Sequence, residues 1–400
     1  MKIQLQNVLY HPSTGGIESY LYNISKQLKN MNHEPMILSS QHKRTLPKHD
    51  SFENIEILRH PYYKFPLFPL NILSPIYFIK RLEKFLRLNS SDCNIIWANF
   101  FLDAFSSCKA FKNKLPVIYV NHAIASNLIK LYTTYSNASV FVRFYVKNLQ
   151  PQYFLIEKQA VTECNLVVTL SKMRMKETYD LYDIDKEKFS VVPPGVDLKR
   201  FIPVKKDLKL LKDLNIPEKS KIILSVGRLS HEKNLEMLIN AFAKISRENV
   251  FLLIVGDGPE RIFLKSLVEK LGLNNKVIFT GIRTDIERFY SVADLFVLSS
   301  KYEGFGLVFL EAMASGLPCI GLKPDYPNII VSSDEIIDDG KNGFLVNPYS
   351  IDDLTDKIIG ILDDTELKNK LGNNARKICE ERFSWEKTVK SMLEISNKLI

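Results

Sequence analysis

The sequence predicts an α/β protein built from two parallel, doubly wound sheets. Three observations carry this. Apolar runs of strand length alternate with longer amphipathic segments along the whole chain. The alternation stops once, at Val192-Pro193-Pro194-Gly195-Val196-Asp197, and then restarts. With 400 residues, 46% of them hydrophobic, the chain can fill two cores of ordinary domain size.

In the first half, residues 3–9, 34–39, 55–59, 95–99, 117–121, 166–170 and 190–192 read as strands. Segments 18–29 and 73–88 read as helices between them. The two prolines and the glycine at 193–195 cannot continue a helix, and they mark a linker. Beyond it, 221–226, 251–256, 277–280, 295–298, 319–322 and 343–346 read as strands of a second sheet. The expected organisation is a Rossmann-like domain over 1–193 and another over 194–384. A C-terminal helix over 385–400 is expected to cross back to the first domain.

Bulk features exclude several classes. The five cysteines are scattered, with no C-x-x-C pair and no Cys/His cluster, so neither a disulfide framework nor a zinc site is indicated. A reducing cytoplasm suits that usage. The first nine residues are too polar for a signal peptide and read as a strand. No run of 18 apolar residues is available to span a membrane. The net charge of +9 is uneven: residues 1–190 carry 24 Lys+Arg against 15 Asp+Glu, while 191–400 carry 30 of each. An anionic partner for the first half follows, or else simple solubility charge.

The stretch Glu303-Gly304-Phe305-Gly306-Leu307-Val308-Phe309-Leu310-Glu311 carries most chemistry. Leu307, Leu310, Glu311, Met313 and Ala314 pattern as a helix ended by Gly316 and Pro318. Glu303 then precedes the helix and Glu311 lies within it. Gly304 and Gly306 let backbone approach a ligand. The helix N-terminus suits a phosphate, and each carboxylate suits a sugar diol. A nucleotide sugar has those parts; the alternative is a buried helix with two surface glutamates. Arg228 and Lys233 follow the strand 221–226, and Asn234 is positioned to cap the stripe Leu235, Leu238, Ile239, Phe242. They read as a diphosphate clamp or as a solvated basic loop. Gly256-Asp257-Gly258-Pro259 lacks the third glycine of a dinucleotide loop and reads as a structural turn. Backbone at Gly281 and Ile282 is placed to meet a nucleobase edge. Gly15 and Gly16 open a helix after the first strand and either face a diphosphate across a cleft or form a simple β-to-α turn. Asp183-Ile184-Asp185 reads as a solvated helix end, not a metal motif.

Taken in order, these motifs resemble the retaining glycosyltransferases of family 4, which have the GT-B fold of two Rossmann-like domains facing across a cleft. The resemblance covers nearly the whole chain and is strongest over 193–346. It implies that Arg228 and Lys233 hold the donor diphosphate, that Glu311 binds the ribose, and that Glu303 contacts the donor sugar. Backbone near Gly306 and Leu307 would complete the site, and Gly16 would approach the phosphates from the other domain. It places His122 beside the donor sugar, although Ala123 stands where relatives often carry an acid. It implies front-face attack with retention, no cofactor and no metal, the countercharge coming from Arg, Lys and a helix end. The sequence departs from the family over 323–334, a longer loop without the usual glycines, which leaves the donor sugar open.

Aromatic and basic residues interleave over 60–90 and 139–150. They read as a peripheral contact with an anionic membrane or as helices with basic outer faces. A membrane contact would favour a lipid-linked glycan acceptor and bacterial surface polysaccharide assembly, at the inner face of the plasma membrane. Two other readings stand beside the transferase: a nucleotide-sugar epimerase of the same fold, and a non-catalytic partner keeping it. No nucleic-acid-binding module is recognisable.

Overall fold

The structure, a computed structural model, describes residues 1–13, 15–43, 45–61, 74–90, 92–112, 114–124, 140–245 and 247–400, with the side chains of 140–148 outside that set. The chain divides into two compact units, Met1–Pro194 with Trp385–Ile400, and Gly195–Ser384.

In the first unit the described residues form an eight-stranded sheet. Its strands are β1 (Lys2–Gln6), β2 (Glu34–Gln41), β3 (His49–Phe52), β4 (Ile55–Pro61), β5 (Ile95–Ala98), β6 (Val117–Asn121), β7 (Leu166–Thr169) and β8 (Phe189–Val191). They lie in the order β3-β4-β2-β1-β5-β6-β7-β8. Every pairing is parallel except β3 with β4. That edge strand was not expected from the sequence. Three of its four residues are polar, two of the four are exposed, and it turns back through Glu53 and Asn54, both at positive φ (48° and 62°). Two left-handed residues between antiparallel strands make a tight hairpin without the glycine that usually signals one.

The helix Trp385–Asn397 belongs to this unit. The Trp385 ring packs edge-on against Tyr20 at 5.5 Å, and the Trp97 indole donates to Ser396 Oγ at 3.0 Å. The helix Ser74–Asn89 buries Phe78, Leu82, Phe85 and Leu86 against the sheet. Its outer face shows Lys80, Arg81, Lys84 and Arg87, with Ile76 and Leu88 also exposed. The aromatic segment 62–70 and the side chains of 140–147 lie outside the described residues. Among those described, no helix is long and apolar enough to cross a membrane. All five cysteines are free thiols, and Cys108 and Cys164 bring their sulfurs to 3.3 Å.

The second unit carries a six-stranded, fully parallel sheet: β9 (Lys221–Val226), β10 (Val250–Val255), β11 (Val277–Gly281), β12 (Leu295–Leu298), β13 (Cys319–Leu322) and β14 (Gly343–Val346). Their order is β11-β10-β9-β12-β13-β14. Strand β10 reads Val-Phe-Leu-Leu-Ile-Val and is buried throughout, as a central parallel strand covered on both faces must be. The chain winds outward one way from β9 and the other way from β12. Such a reversal opens a crevice beyond the carboxyl ends of the two central strands.

Candidate active site

The two loops that leave this switch point carry the residues singled out in the sequence. After β9 the chain passes Gly227, Arg228 and Leu229 to Lys233 and the helix Leu235–Ala243. After β12 it passes Ser299 to Glu303 and enters the helix Leu307–Ala314. Ser299 Oγ lies 3.2 Å from the Lys233 carbonyl and 3.0 Å from that of Asn234, and the Lys301 amide donates to the Glu232 carbonyl at 2.8 Å. With the backbones so fixed, the Lys233 ammonium and the Glu303 carboxylate form an ion pair. Their side chains are 17% and 19% exposed, so the pair faces the crevice without being fully solvated. Asn234 sits at the helix start in the left-handed region (φ 49°), and its side chain does not cap the helix. The amide turns instead to the Met237 sulfur at 3.5 Å.

The unusual segment 323–334 braces this loop. The Glu303 amide donates to the Ile330 carbonyl and the Ile330 amide to the Lys301 carbonyl, each at 2.9 Å. A cavity of about 10 Å³ lined by Glu303, Ser300, Ser332 and Ser333 lies behind the carboxylate. That volume suits one water molecule, and the buried Ser300 hydroxyl otherwise has no partner.

Gly306 starts the site helix at φ +93°, where an L residue is strained. A Cβ there would sit 3.0 Å from the Phe309 ring and 3.5 Å from Glu303 Cγ. No side chain caps the N-terminus of this helix. The other end is closed as the sequence predicts. The Gly316 amide donates to Met313 and the Leu317 amide to Ala312, a Schellman arrangement with Gly316 at φ +79°. Arg376 adds a cation there, donating to the Ala314 carbonyl at 2.7 Å.

Glu311 accepts from the Tyr290 hydroxyl at 2.8 Å. Burial pushes its carboxyl up to about 7, opposed by the Tyr290 hydrogen bond and the nearby Arg200 charge. Arg228 is exposed at the start of its loop. Phe305 is core: its ring packs against Phe383 with centroids 5.9 Å apart, so only its backbone is available to a ligand. The Gly281 carbonyl already accepts from the Gly256 amide at 2.9 Å, and the Ile282 side chain is 80% exposed.

Gly256 and Gly258 are structural. A Cβ on Gly256 would overlap the Gly227 carbonyl, and one on Gly258 would overlap Leu229. The Gly227 amide donates to Val255 and the Leu229 amide to Asp257, so the Arg228 loop lies directly on these glycines. Gly256→Ala is expected to destabilise the protein by roughly 2–3 kcal/mol, through a backbone clash and a φ of +135°. Thermal denaturation checks this, and an unchanged melting temperature would contradict it.

Gly15, Gly16 and His122 lie in the first unit. Gly16 has nothing within 4 Å of where a Cβ would be, and the Gly15 position meets only the flexible Glu18 carboxylate. His122 Nε2 lies 2.8 Å from Asn99 Oδ1. The Asn99 amide nitrogen donates to the Gln6 and Trp97 carbonyls, so its oxygen faces the ring and Nε2 carries the proton. Burial, with the Arg174 charge, pushes the imidazole down to about 3. The ring is therefore neutral at physiological pH and offers no positive charge to a phosphate. Asp183 ends its helix in the left-handed region and Asp185 caps the following turn. Among the described residues no group of three or more His, Cys, Asp or Glu is arranged for a metal.

The sequence offered no signal for Ser299, Tyr290 or Arg376. Each acts through a contact 21 to 66 positions away along the chain, between neighbouring elements of the sheet-and-helix layers.

Two doubly wound units, with a charged crevice at the switch point of the second, define a GT-B glycosyltransferase architecture. The family description "Glycosyl transferases group 1" matches residues 207–378, and "Glycosyltransferase Family 4" matches 14–200. The chain belongs to this glycosyltransferase family. It is 26% identical to the N-acetyl-alpha-D-glucosaminyl L-malate synthase of Bacillus anthracis, covering 97% of this chain and 95% of that protein. It is 26% identical to the alpha-monoglucosyldiacylglycerol synthase of Acholeplasma laidlawii, covering 94% and 92%. Anabaena HepE, solved in complex with UDP-glucose, superposes with a TM-score of 0.76 at 22% identity over the full length of both chains.

Proposed function

We propose that the protein is a retaining transferase that moves a sugar from a nucleoside-diphosphate sugar to a hydroxyl of a glycan or lipid-linked glycan. The observation that carries this reading is the convergence of Lys233, Glu303 and an uncapped helix N-terminus at one switch point. Arg228 and Lys233 take the diphosphate, Glu311 the ribose hydroxyls and Glu303 the sugar hydroxyls. Backbone at Gly304, Phe305, Gly306 and Leu307 completes the phosphate cradle, and Gly281 with Ile282 meets the base.

In the reaction the sugar C1–O bond to phosphate breaks and a C1–O bond to the acceptor forms on the same face. The acceptor proton passes to the leaving phosphate oxygen. Negative charge grows on the diphosphate as its bond breaks, and cations placed beforehand stabilise that state more than the ground state. These residues supply the countercharge, so the proposal requires no metal. HepE's binding of UDP-glucose favours a UDP-sugar donor. The diacylglycerol of the Acholeplasma relative's name, with the basic outer face of the helix Ser74–Asn89, favours an acceptor presented at an anionic membrane. Surface polysaccharide assembly is the pathway class proposed.

The test is nucleotide release from UDP-, GDP- and ADP-sugars, with and without a bacterial membrane lipid extract. Release of one nucleotide, enhanced by lipid, is expected. No release from any donor by folded protein would overturn the reading.

A further inference from the structure

We infer that Glu303 is the resident anion of the phosphate site: its carboxylate holds Lys233 until a diphosphate displaces it, and recaptures Lys233 as the nucleoside diphosphate leaves. The inference rests on the donor reading above. Lys233 carries a single charge and pairs with Glu303. Neither backbone is free to drift, because Ser299 ties the Lys233 loop and Ile330 ties Glu303. Only the two side chains can exchange partners. The Lys233 stem lies beside Gly227, whose absent Cβ would sit 3.8 Å from Lys233 Cε, at ordinary van der Waals distance.

A diphosphate entering this crevice competes with Glu303 for the same ammonium, and it meets the Glu303 charge as a repulsion. With an intact donor, the displaced carboxylate has the sugar hydroxyls to accept from. A free nucleoside diphosphate offers no such hydroxyls, so Glu303 is displaced without a new partner. One residue thereby penalises the product relative to the donor. The pair couples sugar recognition to phosphate binding and assists product release.

The experiment is calorimetric titration of UDP, GDP and ADP into wild-type protein and Glu303→Gln, with Glu303→Ala as a second variant. The glutamine is close to isosteric and keeps the loop contacts. For the nucleotide that binds, Glu303→Gln is expected to bind about tenfold tighter and release it correspondingly more slowly. A tenfold change corresponds to about 1.4 kcal/mol. Turnover of the matching sugar donor is expected to fall in the same variant. Tighter product binding with slower turnover is a combination that structural damage does not give. Equal or weaker nucleotide binding by both variants, with wild-type binding intact, would overturn this inference alone. Binding of none of the three nucleotides by wild type or variants would overturn the donor reading and this inference with it.

Discussion

Lys233→Ala is expected to lower kcat/KM for transfer by about 10²- to 10³-fold while the protein stays folded with a modestly lowered melting temperature. Removing one preformed charge-stabilising donor from a reacting site typically costs this much. The pair it forms with Glu303 is only 17% and 19% exposed, so its loss costs some folding energy as well. The variant has a second consequence. It leaves the Glu303 carboxylate without its counter-ion in the crevice, where it repels the diphosphate. Part of the loss therefore belongs to Glu303 and not to the missing cation. Adding Glu303→Gln to Lys233→Ala should restore some nucleotide affinity, but less than Glu303→Gln gains on its own, because there is no longer a Lys233 to set free. A double-mutant cycle on nucleotide affinity measures this coupling. Turnover within about fivefold of wild type in Lys233→Ala would remove Lys233 from the site.

The sequence makes the strands of both sheets legible because central parallel strands are apolar on both faces. Val250–Val255 leaves no other reading. Strand β3 hides for the opposite reason: His49, Asp50 and Ser51 are polar, and the turn Glu53-Asn54 uses left-handed residues other than glycine. Individual site residues are legible by type and by their place after a strand. Their partnership is not. Lys233 and Glu303 are 70 positions apart, and what joins them is the strand order that sets β9 beside β12. A chain listing cannot give that order. Likewise Gly256 looks like part of a ligand loop, yet its φ and the overlap at its Cβ show that it serves the neighbouring Arg228 loop. Tyr290 is an ordinary helix aromatic until the fold sets its hydroxyl against Glu311.

Glu311→Ala is expected to reduce donor affinity and kcat/KM by about 10²-fold, the scale of losing hydrogen bonds to a charged acceptor. The wild-type protein should also show a pH signature. Burial raises the Glu311 carboxyl from its ordinary value of 4.5 to about 7. Between those values the folded chain holds a proton that the unfolded chain has lost, so this group's contribution to stability is full below pH 4.5, declines across the window and is level above about 7. Nucleotide binding runs the other way. Ribose hydroxyls donate to the ionised carboxylate, which favours that form and draws its pKa down in the complex. Binding below about pH 7 is then expected to release protons, and affinity to fall as the pH drops through that range. Calorimetry in buffers of different ionisation enthalpy reads the proton directly. Glu311→Gln has no proton of its own to release, so its affinity should be weaker and depend on pH less steeply than that of the wild type, by the phosphate's own ionisation alone. A wild-type profile with the same pH and buffer dependence as Glu311→Gln would mean that Glu311 is not the ribose acceptor. The Tyr290→Phe protein separates the two causes of the shift. It removes the hydrogen bond that favours the charged form, so the pH at which affinity falls should move upward while the proton count stays the same.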